Sequence, residues 1–423
     1  MTEARPPLST SAPTKPLSIG PTSLSTGSTP AAIPRSERVI GIDVARGTAV
    51  LGMLSVHVFD TFDSDGSPSL AWAVAAGRSA ATFAVAAGIG LAFTTGGRRP
   101  GTGRATTVSV AVRALLVIAL GLALSYVTVP ADLDQVGVVL PYYGLLFLLV
   151  IPLLGRSPRA LARAAAGFAV LAPVAIRALA HVLPEPDLAL DPTPGDVLHH
   201  PVGLLSQLLV FGEYPAPAWM AYVCAGLAVG RLRLTDVRVA RSLFFGGLAL
   251  AVTAWAAASL VLLRFGGLRH LWRAEFGYLD WAEGRHVALW DVPDGHSWWT
   301  LLSRAPHSSS PFDMLQTLGS ALALLGALLL LTRSAPAARL LSPLAAAGSM
   351  PLTFYCLHIL FLATGVFDGT PYLQYLVMVA AALTFAVLWQ RLWGRGPLES
   401  LITSIAKRAG RVAETHKGDT GER

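Results

Sequence analysis

The stretch RGTAVLGMLSVH, Arg46 to His57, is greasy membrane helix with a guanidinium at one end and an imidazole at the other. At about 100° per residue, eleven positions bring Arg46 and His57 to within about 20° of each other, about 16 Å apart along the axis. Asp43, three residues before Arg46, is within ion-pair reach, so the three share one face. Gly41, Ala45, Thr48, Gly52 and Ser55 form the opposite stripe, small residues that let another helix come very close. Such a helix belongs inside a bundle, its polar side on a cavity. An arginine at the centre of a lipid-facing helix costs about 2.5–3.5 kcal/mol on insertion scales, so buried ones usually face protein or water. Taken singly, Arg46 can instead snorkel to the cytoplasm beside Asp43, and His57 can be a packed or interfacial histidine. Together on one face, they point to function.

The surrounding sequence sets the class. Of 423 residues 53% are hydrophobic and only 13% charged, too apolar for a soluble protein. Apolar runs approach the roughly 20 residues a helix needs to cross a bilayer. We read an all-α, polytopic bundle of about ten transmembrane helices, at roughly 39–60, 69–95, 105–129, 136–154, 160–183, 214–231, 241–264, 312–332, 347–366 and 372–393. The segment 203–214 is too short to span and reads as an interfacial or re-entrant piece. Residues 1–37 read as a disordered cytoplasmic tail: the first 34 hold seven prolines and twelve Ser/Thr. No apolar stretch precedes Arg35, so no signal peptide is expected. Residues 403–423 read as a basic cytoplasmic tail, and about 265–311 as one long external connection.

Charge orients the bundle. Arg98, Arg99 and Arg104, then Arg156, Arg159 and Arg163, then Arg231, Arg233, Arg238 and Arg241 follow alternate spans, whereas the links PADLD, PEPDLALDPTPGDVLHHP and FDGTP carry no Lys or Arg. This positive-inside asymmetry puts both termini in the cytoplasm of a cell (plasma or inner) membrane protein. The +7 net charge therefore orients the chain against anionic lipid and implies no nucleic acid. Cys224 and Cys356 fall in expected spans and support neither a disulfide framework nor a cysteine metal site. The histidines show no ligand spacing, so no metal is expected.

Other polar residues stand in unusual places. Arg78 opens RSAATFAVAAGIGLAF well inside the second span and is expected to point into the same cavity as His57. Arg113, about two turns into the third span, can still reach the cytoplasmic surface. His307 in PHSSSP precedes the eighth span, and His358 in LTFYCLHIL sits within the ninth; a solvated loop and a packed helix histidine are the plain alternatives. Glu213 and Asp313 could orient an imidazole or bind an amine. The external connection holds five of the ten tryptophans, among them Trp298 and Trp299, which could stack on a sugar or sit at the membrane interface.

RVIGIDVARGTAVLGMLSVH followed by GRSAATFAVAAGIGLAF resembles the opening of the heparan-α-glucosaminide N-acetyltransferase-like membrane proteins, and the Arg-ten-residues-His spacing resembles the wider membrane acyltransferase group. GEYPAPAWMAYVCAGLAVGRL, PHSSSPFDMLQTLGSALALLGALLLL, LAAAGSMPLTFYCLHIL and RGPLESLI resemble a bacterial branch, domain of unknown function 418. The resemblance runs from Arg38 to Ile402 and makes 38–402 one acyltransferase-like domain. In the lysosomal enzyme the position of His57 looks like an asparagine, and its catalytic histidine falls where this chain has DTFDSDGSPS.

The resemblance implies an acyl-CoA co-substrate, acetyl-CoA foremost, on the cytoplasmic side, and a hydroxyl or amine acceptor, an envelope glycan or small molecule, on the far side. An imidazole suits the base that transfer requires, and it could alternatively take the acyl group itself. On that basis His57, with His307 and His358 as further candidates, is the expected catalyst, and Arg78 the oxyanion donor. Arg46 with Asp43, and the loop holding Arg98, Arg99 and Arg104, would meet the donor's phosphates; orienting charge alone is the competing reading of the loop. Glu213, Asp313, Trp298 and Trp299 would meet the acceptor. A homo-oligomer is left open. The alternative class is a multi-pass transporter of a small polar or anionic solute, since intramembrane arginines also mark substrate pathways. It would more naturally show inverted repeats, and the sequence has none.

Overall fold

In the computed structural model the apolar run around Arg46 forms helix α1 (Ile40–Val58). The structure describes residues 39–98, 101, 103–129, 131, 133, 136–293, 295 and 297–418. Contacts divide the chain between Arg38 and Val39; the first unit, with the expected tail 1–37, lies outside the described residues, as does Arg99. Among the described residues every regular element is helical, apart from a single bridge between Phe62 and Pro68.

The second expected span is not one helix. Ser69 caps the short α2 (Leu70–Ala75) by accepting the Trp72 N–H at 3.2 Å. Gly77 then turns left-handed at φ +68°, and α3 (Arg78–Thr94) begins. Only glycine adopts that conformation cheaply, so the break falls where the sequence permits it. Helix α4 is Arg104–Thr128. Helix α5 (Leu140–Leu149) has Pro141 in its first turn and gives way to a tight turn containing Pro152. Then follow α6 (Pro158–Ala180), the short α7 (Pro194–His199) and α8 (Pro201–Ser206), and α9 (Ala216–Gly230). Every residue of α9 except Pro217 is buried, as expected of a helix surrounded by protein.

Helix α10 (Val237–Leu263) leads into the long connection, which folds as α11 (Gly267–Glu275) and α12 (Trp281–Trp290). There Leu262, Leu268, Leu271, Phe276 and Ala288 make a small apolar cluster separate from the main core. Helix α13 (Pro311–Leu331), the one-turn α14 (Ala335–Leu340) and α15 (Ser342–Gly348) follow. Helix α16 (Pro351–Leu362) leaves α15 at 83°, the bend falling just before a proline that cannot continue the hydrogen-bond ladder. Helix α17 is Pro371–Leu392, and α18 (Pro397–Gly418) continues unbroken past residue 403, burying Ile402, Ala406 and Gly410.

Among the described residues six segments are long and apolar enough to cross a membrane: Leu70–Thr94, α4, α6, α10, α13 and α17. The bent pair α15–α16 makes a seventh if counted as one. This is a multi-pass helical membrane protein. The remaining expected spans have identifiable reasons for falling outside that set. Asp43, Arg46 and His57 dilute the apolar character of α1. Region 136–154 yields only the ten-residue α5, and 214–231 only the fifteen-residue α9.

Glycines set the closest crossings. A Cβ on Gly226 of α9 would overlap the Val85 carbonyl of α3, and one on Gly348 of α15 would overlap the Asp43 carbonyl of α1. Of the expected small-residue stripe on α1, Gly41 packs against α13 and Gly52 against Ser79. Gly47, outside that stripe, meets α15 at Leu344, because α1 is enclosed on more than one side.

Candidate functional site

Helices α1 and α3 run antiparallel: Gly52 lies over Ser79, and Arg46 reaches the Ala86 carbonyl with Nη2 at 3.2 Å. The break before α3 therefore falls at the His57 end of α1. A cavity of about 60 Å³ lies there, with room for a few waters. Its polar lining comes from His57, Trp72, Ser79, Glu213, Tyr214 and His307, set among Met53, Val56, Ala75, Ala76, Gly77 and Ala80.

Two imidazoles meet at its edge. His57 Nδ1 lies 3.0 Å from His358 Nε2, with ring centroids 5.2 Å apart. His358 Nδ1 lies 3.1 Å from the Phe354 carbonyl one turn earlier in α16. Tyr355 meets the His358 ring edge-on, and its hydroxyl is pinned between the Val139 N–H at 2.9 Å and the Gly137 carbonyl at 3.2 Å.

The third imidazole comes from a strained loop. His307 adopts φ +64° and Ser309 φ +49°, conformations rare outside glycine and frequent at functional sites. The Gly77 N–H, freed by the helix break, donates to His307 Nε2 at 3.1 Å. Asp313, in the first turn of α13, accepts the Ser309 N–H at 3.2 Å and so holds this loop rather than the imidazole. His307 Nδ1 faces Glu213 Oε1 at 3.7 Å. Burial pushes the Glu213 carboxyl up to about 7, against a hydrogen bond from Tyr214, with the charge of Asp191 adding to the rise. Burial pulls His307 down to about 4. Between those values both are uncharged, so the contact is no ion pair there.

Two stretches match family models. Residues 38–265, more than half of the chain, match the model described as heparan-alpha-glucosaminide N-acetyltransferase, catalytic. The chain belongs to that family. Residues 287–409 match a second model, described as a protein of unknown function (DUF418). No curated protein and no solved structure matches the chain. In this member of the heparan-alpha-glucosaminide N-acetyltransferase catalytic family the site draws on both stretches: His57, Trp72 and Glu213 lie in the first, His307 and His358 in the second.

The structure brings together His57, His307, His358 and Glu213, with Asp313 supporting the His307 loop. It does not bring Arg78 to the cavity, contrary to expectation: Nη1 donates to the Ala73 carbonyl at 3.0 Å, stitching α2 to α3 across the break. Trp298 and Trp299 also lie elsewhere, 50% and 40% exposed, stacked on His181 and His270. Trp72, not singled out from the sequence, takes the cavity wall instead. Its Nε1 donates to the Trp290 carbonyl at 2.8 Å, tying the long connection to the site.

At the other end of α1, Arg46 Nη1 bonds Asp43 at 3.1 Å, as their spacing predicts. Neither residue lines the cavity, and Val50 and Leu54 are buried between the two ends. The cavity at His57 therefore does not extend along this face to Arg46. Arg98 and Arg104 are exposed at the far end of the same region, where α3 ends and α4 begins. Arg231, expected only to orient the chain, is buried and donates to the carbonyls of Gly97 and Leu154, fixing that loop.

Proposed function

We propose that this protein is a membrane-embedded acyltransferase that moves an acyl group, acetyl foremost, from cytoplasmic acyl-CoA to a hydroxyl or amine on an envelope glycan or small molecule. One observation carries the reading: His57 lines a cavity with polar walls, and no described residue hydrogen-bonds its second ring nitrogen, Nε2. An unpaired imidazole nitrogen at such a position suits a general base. It takes the proton of the acceptor as the acceptor's oxygen or nitrogen bonds to the thioester carbonyl carbon. The carbon–sulfur bond then breaks, and the proton leaves with the thiol. Arg46, Arg98 and Arg104, at the opposite end of α1 and α3, supply positive charge where the donor's phosphates would arrive. Because the cavity at His57 does not extend to Arg46, turnover requires α1 and its neighbours to part.

The test uses purified protein in liposomes, labelled acetyl-CoA at one face and glucosamine among the acceptors offered at the other. Label in the acceptor with loss of thioester is expected, with the cavity facing the acceptor side. His57→Ala should lower kcat on the order of 10²–10⁴-fold with helicity unchanged. Arg46→Ala should chiefly raise the KM for acetyl-CoA. Movement of an unmodified solute with no thioester consumed would overturn the enzyme reading in favour of transport.

A further inference from the structure

We infer that His358 is a positioning residue that holds His57 in the tautomer with its proton on Nδ1, so that the Nε2 lone pair is presented to the cavity; this rests on the acyltransferase reading. The assignment follows from one atom that can only accept. The Phe354 carbonyl has no proton, so His358 Nδ1, 3.1 Å away, must be the donor. A neutral imidazole carries one N–H, which leaves a lone pair on His358 Nε2. That nitrogen is 3.0 Å from His57 Nδ1, so His57 Nδ1 in turn donates. His57 Nε2 is then the unprotonated nitrogen.

The reverse order needs His358 as an imidazolium, with protons on both nitrogens. His358 is only 4% exposed, and it meets the backbone of Phe354 and Tyr355, the His57 imidazole and the Tyr355 ring, with no carboxylate against it among the described residues. A buried cation without a counter-charge is strongly disfavoured. The neutral chain carbonyl–imidazole–imidazole is the arrangement that satisfies every hydrogen bond.

The proton balance closes. In the acyl-transfer step the acceptor's proton passes to His57 Nε2, and the resulting imidazolium keeps its Nδ1–H bonded to the lone pair of His358. When the thiolate leaves, it takes the proton from Nε2, and both rings return to their starting state. His358 gains and loses nothing; it steers.

Ring-nitrogen NMR on ¹⁵N-histidine-labelled protein, with signals assigned through His57→Gln and His358→Gln, reads the tautomers without any substrate. At pH 8 the His57 proton should sit on Nδ1; a proton on Nε2 overturns the inference. In the liposome assay His358→Leu should lower kcat at least on the order of 10²-fold, with the KM for acetyl-CoA within about twofold of wild type. His358→Gln, which offers an acceptor oxygen near the position of Nε2, should recover to within about tenfold. Equal loss in both variants makes His358 merely structural. The two readings fail separately: an active His57→Ala removes the base itself, whereas an inactive His57→Ala beside an active His358→Leu removes only the positioning role.

Discussion

Glu213 and His307 confront each other across 3.7 Å with their ionisations displaced in opposite directions, and each displacement has a consequence in solution. A carboxyl raised to about 7 is stabilised protonated by the fold, so its contribution is present at low pH and is lost as pH rises through about 7. An imidazole lowered to about 4 contributes above its ordinary value near 6.5, and that contribution is lost as pH falls through about 4. Of this pair, only Glu213 titrates in the folded protein between pH 6.5 and 8. Over that window the melting temperature of wild type in detergent should therefore fall relative to Glu213→Gln; a constant difference would refute the raised value. The shared face of Asp43, Arg46 and His57 was legible from 100° geometry alone, because it depends on one helix. The convergence of His307 and His358 on His57 was not, since separations of 250 and 301 residues are closed only by packing. Trp298 and Trp299 drew attention through local density of aromatics, but density along a chain does not measure distance to a cavity. Trp72, the wall residue, has no such cluster around it.

At the scale of elements, interruptions matter as much as helices. The break at Ala76–Gly77 frees an N–H for His307, and the bend after α15 redirects α16 so that His358 faces α1. Gly77→Ala forces a Cβ into left-handed backbone and to within 3.3 Å of Pro306 and Thr317, at a cost of about 1–2 kcal/mol. A lower melting temperature together with reduced turnover should result, because the peptide that bonds His307 is displaced. Gly348→Ala drives a methyl group into the Asp43 carbonyl and should destabilise by about 1–3 kcal/mol, measured by thermal unfolding, at the end of α1 remote from His57. The apolar runs predicted most helix positions well, for composition over twenty residues outweighs local detail. The breaks were hidden: an Ala-Ala-Gly sequence fits a helix as readily as a left-handed turn until a neighbour claims the freed N–H.

At the scale of the molecule, charge asymmetry predicts sidedness that labelling can read. Cys224 and Cys356 are both buried, which leaves a quiet background for introduced cysteines. In intact cells a membrane-impermeant maleimide should label Ser64→Cys, exposed in the link after α1, and spare Ser404→Cys on α18 until the cells are lysed. The reverse pattern would invert the topology. His57 and His358, 3.0 Å apart, belong to different matched stretches, and the chain between those stretches runs through 266–286. A polypeptide severed there would carry one imidazole of this contact on each fragment. Neither fragment alone should turn over substrate, however well it inserts, whereas co-production should restore activity through reassembly in the bilayer. In a genetic complementation assay the two matched stretches would thus behave as interdependent halves of one site.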